Sequence, residues 1–250
     1  MSALALVPPY THPATLLAAL KQQGFALLPA SDVAILAQCS QEEFAAFATS
    51  WQRLARDAYL KDGGKYRKRR HASFVLEGGK ITNAGHRAHW QPLEYNALHG
   101  GMERWFEPME LSQSAIHSGA ACALLTWLSD ISDALFGTQT WFSEMHQFRI
   151  DTEGGIGRPT PEGAHRDGVN LVAVFLVARE GIKGGETRVF DANSPHGVRF
   201  TLTEPWSVLL LDDARMIHET TPIQPLAETA YRDTLVVTLR GKAFQDAAVP

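Results

Sequence analysis

The periodicity of apolar positions changes near residue 140. Upstream, apolar residues recur mostly at helical spacing; downstream, they come in short runs cut by turn residues. Pro13 and Gly24 bracket a helix through Leu16, Leu17 and Leu20, in keeping with the preference for Pro at helix starts and Gly just past their ends. Phe25 to Leu28 then reads as a short buried strand. Ser40 and Glu43 form a capping box, and Phe44, Phe47, Trp51 and Leu54 recur behind it on one helical face, which predicts core packing. A third helical stretch runs through Ile116, Leu124, Leu128, Ile131 and Leu135 and stops before Gly137.

From Trp141 on, Met145 to Ile150, Leu171 to Val177, Thr187 to Phe190, Trp206 to Leu211 and Thr234 to Leu239 read as strands. Many short strands with Gly and Pro punctuation predict a sandwich or barrel. The fold class expected is α+β, mainly β: a double-stranded β-helix (jelly roll, cupin-like) barrel with N-terminal helices bracing one sheet. No linker interrupts the chain, so 1–250 is expected to be a single domain, with 1–140 mainly helical and packed on a barrel core at 141–242. Asp151 to Pro161, containing Gly154, Gly155, Gly157 and Pro159, has the length and composition of a mobile lid.

The chemistry concentrates at Gly163-Ala164-His165-Arg166-Asp167-Gly168. On an extended segment, side chains at i and i+2 share a face, so His165 and Asp167 can converge on one ion while Arg166 points away. His218 follows, just after the apolar run that ends at Leu211, where a neighbouring strand can bring it alongside. Two histidines and one carboxylate on one face, with the remaining positions open, is the donor set of non-haem Fe(II) oxygenases. A surface strand with two polar residues is the plain alternative for His-x-Asp alone. Further on, the strand beginning Tyr231-Arg232-Asp233-Thr234 puts Arg232 and Thr234 on one face, where a guanidinium fork and a hydroxyl can grip a single carboxylate.

His165, Asp167, His218, Arg232 and Thr234 together resemble the Fe(II) and 2-oxoglutarate dependent dioxygenases. Gln91-Pro92-Leu93-Glu94-Tyr95-Asn96, Gly100 to Pro108 and Gly184-Gly185-Glu186-Thr187 extend the likeness to the bacterial branch that hydroxylates free aliphatic L-amino acids, the isoleucine dioxygenase type, over roughly residues 20 to 242. Gln91-Pro92 departs from that branch, which expects small polar residues after the Gln. The resemblance implies Fe(II) held by His165, Asp167 and His218, and 2-oxoglutarate held through its far carboxylate by Arg232 and Thr234. It also implies O2 as oxidant, with succinate and CO2 as co-products of hydroxylation or, for methionine, sulfoxidation. A pocket for a free amino acid needs a cation, an acceptor and an apolar wall. Arg149, Arg166 and Arg188 are candidate cations, with Arg149 ranked above Arg166; Glu144, Glu153, Glu162 and Asp191 are candidate acceptors, and Tyr95 and Phe148 candidate walls. Two rivals stand beside this reading: a cupin-type metal enzyme that does not use 2-oxoglutarate, and a non-catalytic jelly-roll binding module.

Composition narrows the partners. A net charge of -4 gives no electrostatic footprint for nucleic acid or an anionic membrane. The one basic run, Lys65 to Arg70, reads as a solvated edge or loop. No apolar run reaches membrane-spanning length and no secretory leader is visible, and Cys39 and Cys122 form no metal or disulfide pattern. The protein is therefore expected to be cytoplasmic, with both thiols buried and reduced. Apolar helices on the outer face offer a surface for a homodimer. Among the other histidines, His86 and His89 have no carboxylate at metal-ligand spacing and His146 reads as a core or rim residue. His12, His71, His99, His117 and His196 stand without a constellation.

Overall fold

The computed structural model describes residues 6–111 and 118–246; Ile116 and His117 lie outside the described residues. A 3-10 turn at Pro13–Thr15 leads into α1 (Leu16–Gln23), which ends at Gly24. β1 (Phe25–Leu28), α2 (Ala30–Leu36) and α3 (Gln41–Ala48) follow, with the Ser40–Glu43 capping box formed in both directions. The α3 face extends through a 3-10 turn at Thr49–Arg53, and Leu54 already has extended backbone. Two strands that the periodicity did not announce come next, β2 (Arg67–Glu77) and β3 (Lys80–Asn83). After α4 (Ala120–Phe136), the remainder is β4 (Trp141–Asp151), β5 (Leu171–Glu180), β6 (Ile182–Gly184), β7 (Thr187–Asp191), β8 (Gly197–Phe200), β9 (Val208–Asp212), β10 (Met216–Thr220), β11 (Ile223–Pro225) and β12 (Tyr231–Gly241).

These strands form one large sheet in the order β1-β9-β5-β12-β4-β2-β3, a three-stranded sheet β10-β7-β8 and a two-stranded pair β11-β6. Every ladder between them is antiparallel. The large sheet is buried on both faces. Phe74, Met145, Phe175, Leu235, Val237 and Leu239 pack with Leu124, Leu128 and Ile131 of α4 and with Phe44 and Trp51, whereas Leu27, Val172, Leu176, Leu209 and Leu211 pack with Val189, Phe200 and Met216 of the smaller sheet. Among the described residues, no helix is long and apolar enough to cross a membrane.

Three sequence expectations change here. Residues 1–140 do not simply pack against a separate barrel, because β1, β2 and β3 supply three of the seven strands of the large sheet. The strand expected from Trp206 starts at Val208; Trp206 has φ 67 and turns its ring onto Phe44 at 4.5 Å. The basic run is not a solvated edge. It opens β2, which lies between β4 and β3, and alternation buries Arg67 and Arg69 while Lys68 and Arg70 face outward to Asp151 and Glu110. Cys39 is buried and Cys122 half-buried, both as free thiols.

Candidate active site

The inner face of the large sheet carries four rows of cross-strand neighbours from β2, β4 and β12. They are Arg67–Ile150–Arg232, Arg69–Phe148–Thr234, His71–His146–Val236 and Ser73–Glu144–Thr238. Because successive strands lie about 4.8 Å apart and alternate residues share a face, these rows tile one continuous floor. Residues of the Pro159–Asp167 segment and of β10 stand opposite, and the cleft between encloses about 950 Å³, its open mouth included. That is the size of a small-molecule site.

His165, Asp167 and His218 meet at this cleft. The segment around His165 is not a regular strand. It makes one isolated bridge to β10, with His165 N donating to His218 O at 3.0 Å and His218 N donating to His165 O at 2.9 Å. Asp167 is set by a different device: Asp213 accepts hydrogen bonds from the backbone N–H of Asp167, Gly168 and Val169 at 2.9, 2.7 and 3.0 Å. Gly168 must be glycine, since it has φ +77 and a Cβ there would run into the Tyr95 ring. Donor atoms of the three side chains lie within 4.8 Å of one another. His165 Nε2 is 3.8 Å and His218 Nε2 3.9 Å from the Asp167 carboxylate, too long for hydrogen bonds. The Nδ1 of His165 lies 3.0 Å from Gly163 O, which fixes its hydrogen there and leaves Nε2 with a free lone pair. Burial opposes charge on His165, but Asp167 and Glu162 outweigh it and raise its pKa; burial and the neighbouring His165 push His218 down to about 4. This donor set fits a divalent ion.

The second anchor stands 14 residues after His218, at the second position of β12. Arg232 is buried, lines the cleft, and among the described residues has no hydrogen-bond partner at Nε or Nη2. Burial, and then the adjacent Arg179, push it down to about 10. Two guanidiniums side by side with free donors fit a carboxylate. Gly185 keeps room for them: it has φ +69, and a Cβ there would stand 2.9 Å from Arg179 Nη1. Thr234 is two residues along β12 on the same cleft wall. The lid segment is tied down rather than free, by paired Gly157–Ile223 backbone bonds and by Thr160 Oγ1 bonded to both O and N of Thr220.

The expected substrate residues divide. Phe148 lines the cleft, with the Arg69 guanidinium 4.4 Å from its ring centroid. Arg149 does not line it: alternation turns it to the opposite face, where its fork makes two bonds to Asp233 at 2.8 and 2.7 Å. Tyr95 packs over Gly168 and beside Arg166, outside the cleft lining. Arg166 points away as expected, donating to Ala214 O. Sequence reasoning missed more of the wall than it found. Gln91 donates to Asp167 at 3.2 Å and accepts from Arg104 at 2.9 Å. Glu144 sits among His71, His89 and His146, so these histidines do have a constellation. His89 finds its carboxylate across strands, which spacing along the chain cannot reveal.

A family model described as 2OG-Fe dioxygenase matches residues 48–238. The chain belongs to the 2OG-Fe dioxygenase family. It is a 2-oxoglutarate-dependent dioxygenase requiring Fe(II), 2-oxoglutarate and O2. This dioxygenase is 50% identical to a bsmA homolog from Methylobium petroleophilum PM1, with a TM-score of 0.90 over 97% of this chain and 98% of that one. The crystal structure of IDO from Bacillus thuringiensis is similar in fold at 17% identity and TM-score 0.73, covering 93% of this chain and 100% of that one. The Fe(II)/(alpha)ketoglutarate-dependent dioxygenase TqaL is likewise similar at 17% identity and TM-score 0.65, covering 95% and 91%. No curated protein matches the chain by sequence.

Proposed function

We propose that this dioxygenase hydroxylates, or in the case of methionine sulfoxidises, a free aliphatic L-amino acid, releasing succinate and CO2. In this reading His165, Asp167 and His218 hold Fe(II), Arg232 and Thr234 hold the far carboxylate of 2-oxoglutarate, and the sheets form a double-stranded β-helix around them. The observation that carries it is the meeting in one cleft of a three-donor face with open positions and a buried guanidinium lacking a partner. Iron and cosubstrate supply the oxidative chemistry when bound; the chain supplies position and exclusion of water. Asp213 orients Asp167, Gly163 O fixes the His165 tautomer, and the anchored Gly157–Thr160 segment covers one side of the cleft. The fold shared with IDO and TqaL supports the class but not the substrate. The test is a succinate screen of the purified protein with Fe(II), 2-oxoglutarate and each free L-amino acid. Coupled succinate and hydroxylated product from isoleucine, leucine, norleucine or methionine is expected; turnover only of a peptide-bound residue or a non-amino-acid would sink the reading.

A further inference from the structure

Away from Arg232, the cleft is lined by three more arginines, Arg67, Arg69 and Arg104, and by Glu144 and Glu162. Most of these groups already have hydrogen-bond or ion-pair partners. Arg67 pairs with buried Asp57 at 2.7 Å, and Arg69 reaches the same carboxylate at 3.9 Å while its Nη2 lies 2.7 Å from His146 Nδ1. Glu144 is enclosed by three imidazoles. Arg104 and Glu162 are the least engaged of these groups. Arg104 is 2% exposed; among the described residues its one side-chain hydrogen bond goes to the neutral Gln91 amide, and its Nε has no partner. Glu162 has a buried Oε2 without a hydrogen-bond partner; among the described residues its one ion-pair contact within 4.0 Å is His165 Nε2 at 3.6 Å, with Arg104 and His99 at longer electrostatic reach. Both line the cleft, yet no ion pair within 4.0 Å joins them.

From this we infer that Arg104 and Glu162 form a clamp for a zwitterion, Arg104 taking the α-carboxylate and Glu162 the α-ammonium of the substrate. The clamp rests on the amino-acid reading above and sharpens it. A dicarboxylate would bring an anion to Glu162, and a diamine a cation to Arg104; a neutral ligand would leave both charges buried and unanswered, which is costly in a desolvated site. A group carrying both charges on one carbon satisfies the two residues together. Arg67, with an unpartnered Nη2 on the same wall, offers a second donor to the carboxylate. A peptide-bound residue lacks both charges, so the clamp selects free amino acids.

The test is calorimetric titration of the full chain loaded with Mn(II) and 2-oxoglutarate, a state that does not turn over. Ligands are leucine, isoleucine, norleucine and methionine, then the deaminated acid and the decarboxylated amine of the best binder. Wild type is expected to bind the amino acid about thirtyfold or more tighter than either counterpart, the loss typical of truncating a desolvated charge pair. Glu162→Gln should bring the amino acid down to the affinity of the deaminated acid while leaving that acid within about twofold; Arg104→Lys should weaken the amino acid and the acid but not the amine. The near-isosteric Glu162→Gln carries the test if the Arg104 variant fails to fold. Equal weakening of amino acid and deaminated acid by Glu162→Gln, or failure of all four amino acids to bind, would overturn the clamp. Discriminating binding without hydroxylation in the succinate screen would leave the clamp standing and remove the reaction; hydroxylation of an amino acid whose binding ignores Glu162→Gln would do the reverse.

Discussion

Two groups of histidines and a carboxylate flank the same cleft, and both bring their donor atoms within 4.8 Å. They differ in what the hydrogens and lone pairs are doing. At His165, Asp167 and His218 the nitrogens facing the carboxylate stand 3.8 and 3.9 Å away, and the hydrogen of His165 is engaged behind it by Gly163 O. No hydrogen bond joins these three side chains to one another. At Glu144 the carboxylate receives His71 Nε2 at 3.1 Å and His89 Nδ1 at 2.9 Å. Arg69 cannot accept a hydrogen bond, so the His146 Nδ1 beside it must, and the hydrogen of His146 therefore sits on Nε2, facing Glu144. A metal there would need the lone pair that this hydrogen occupies. The first group is open and the second closed upon itself, so donor types alone do not define a metal site. The same contrast separates two arginines: Arg232 has free donors in the cleft, whereas the Arg149 fork is fully committed to Asp233.

The largest expected effect breaks the comparison at its first member. His218→Ala should abolish both ion binding and turnover, well beyond the roughly 10–100-fold cost of losing an outer-shell partner. Titration with Mn(II) should find one ion per wild-type chain and none in the variant; two ions in wild type would mean the Glu144 group is open after all. Glu144→Ala should keep that single ion but destabilise the chain by about 3 kcal/mol, because it leaves the buried His71 and His89 donors without an acceptor at about 1–3 kcal/mol each. Its urea midpoint beside its metal stoichiometry reads both.

Arg232→Ala should weaken 2-oxoglutarate at least about tenfold, with Arg232→Lys recovering part of the loss, while Arg149→Ala lowers stability and leaves 2-oxoglutarate affinity unchanged. Equal effects of the two on cosubstrate binding would erase the distinction between them. A further effect concerns pH. Burial holds His89 neutral and down to about 4, and it holds His146 well below its ordinary value; Glu144, raised by burial but lowered further by its imidazole partners, stays ionised. A histidine with a depressed folded pKa binds fewer protons than its unfolded counterpart. Stability is thus complete above about pH 6.5 and lost as pH falls toward 4, by about 2 kcal/mol between pH 7 and 5 for one such group. A flat urea midpoint across that interval would show that the closed group is not what the pH change titrates.

What the sequence disclosed of this site followed from local spacing. His165 and Asp167 lie two residues apart, and Arg232 and Thr234 follow the alternation of β12, so both pairs were visible without a fold. The Glu144 group draws on β2, β4 and the segment around His89, and only the register His71–His146 brings it together. The basic run misled because composition does not say whether alternate residues of a strand face inward. For Arg149 the signal was present: Phe148 and Arg149 are neighbours on one strand, so they cannot both face the cleft, and His146, Phe148 and Ile150 form the inward set. Strand periodicity also located most of the second half of the chain, but β2 begins with charged residues and carries no apolar alternation until it is already buried.

Asp213 gives the site a memory. It gathers three consecutive backbone N–H groups, and the His165–His218 bridge holds the other two donors. The backbone of the socket is held by hydrogen bonds within the polypeptide itself. Loading and unloading therefore become matters of side-chain rotation and diffusion rather than of folding. A chain stripped by a chelator should recover by adding metal back, with no passage through denaturant, and its dormant form remains the same molecule waiting in its finished shape.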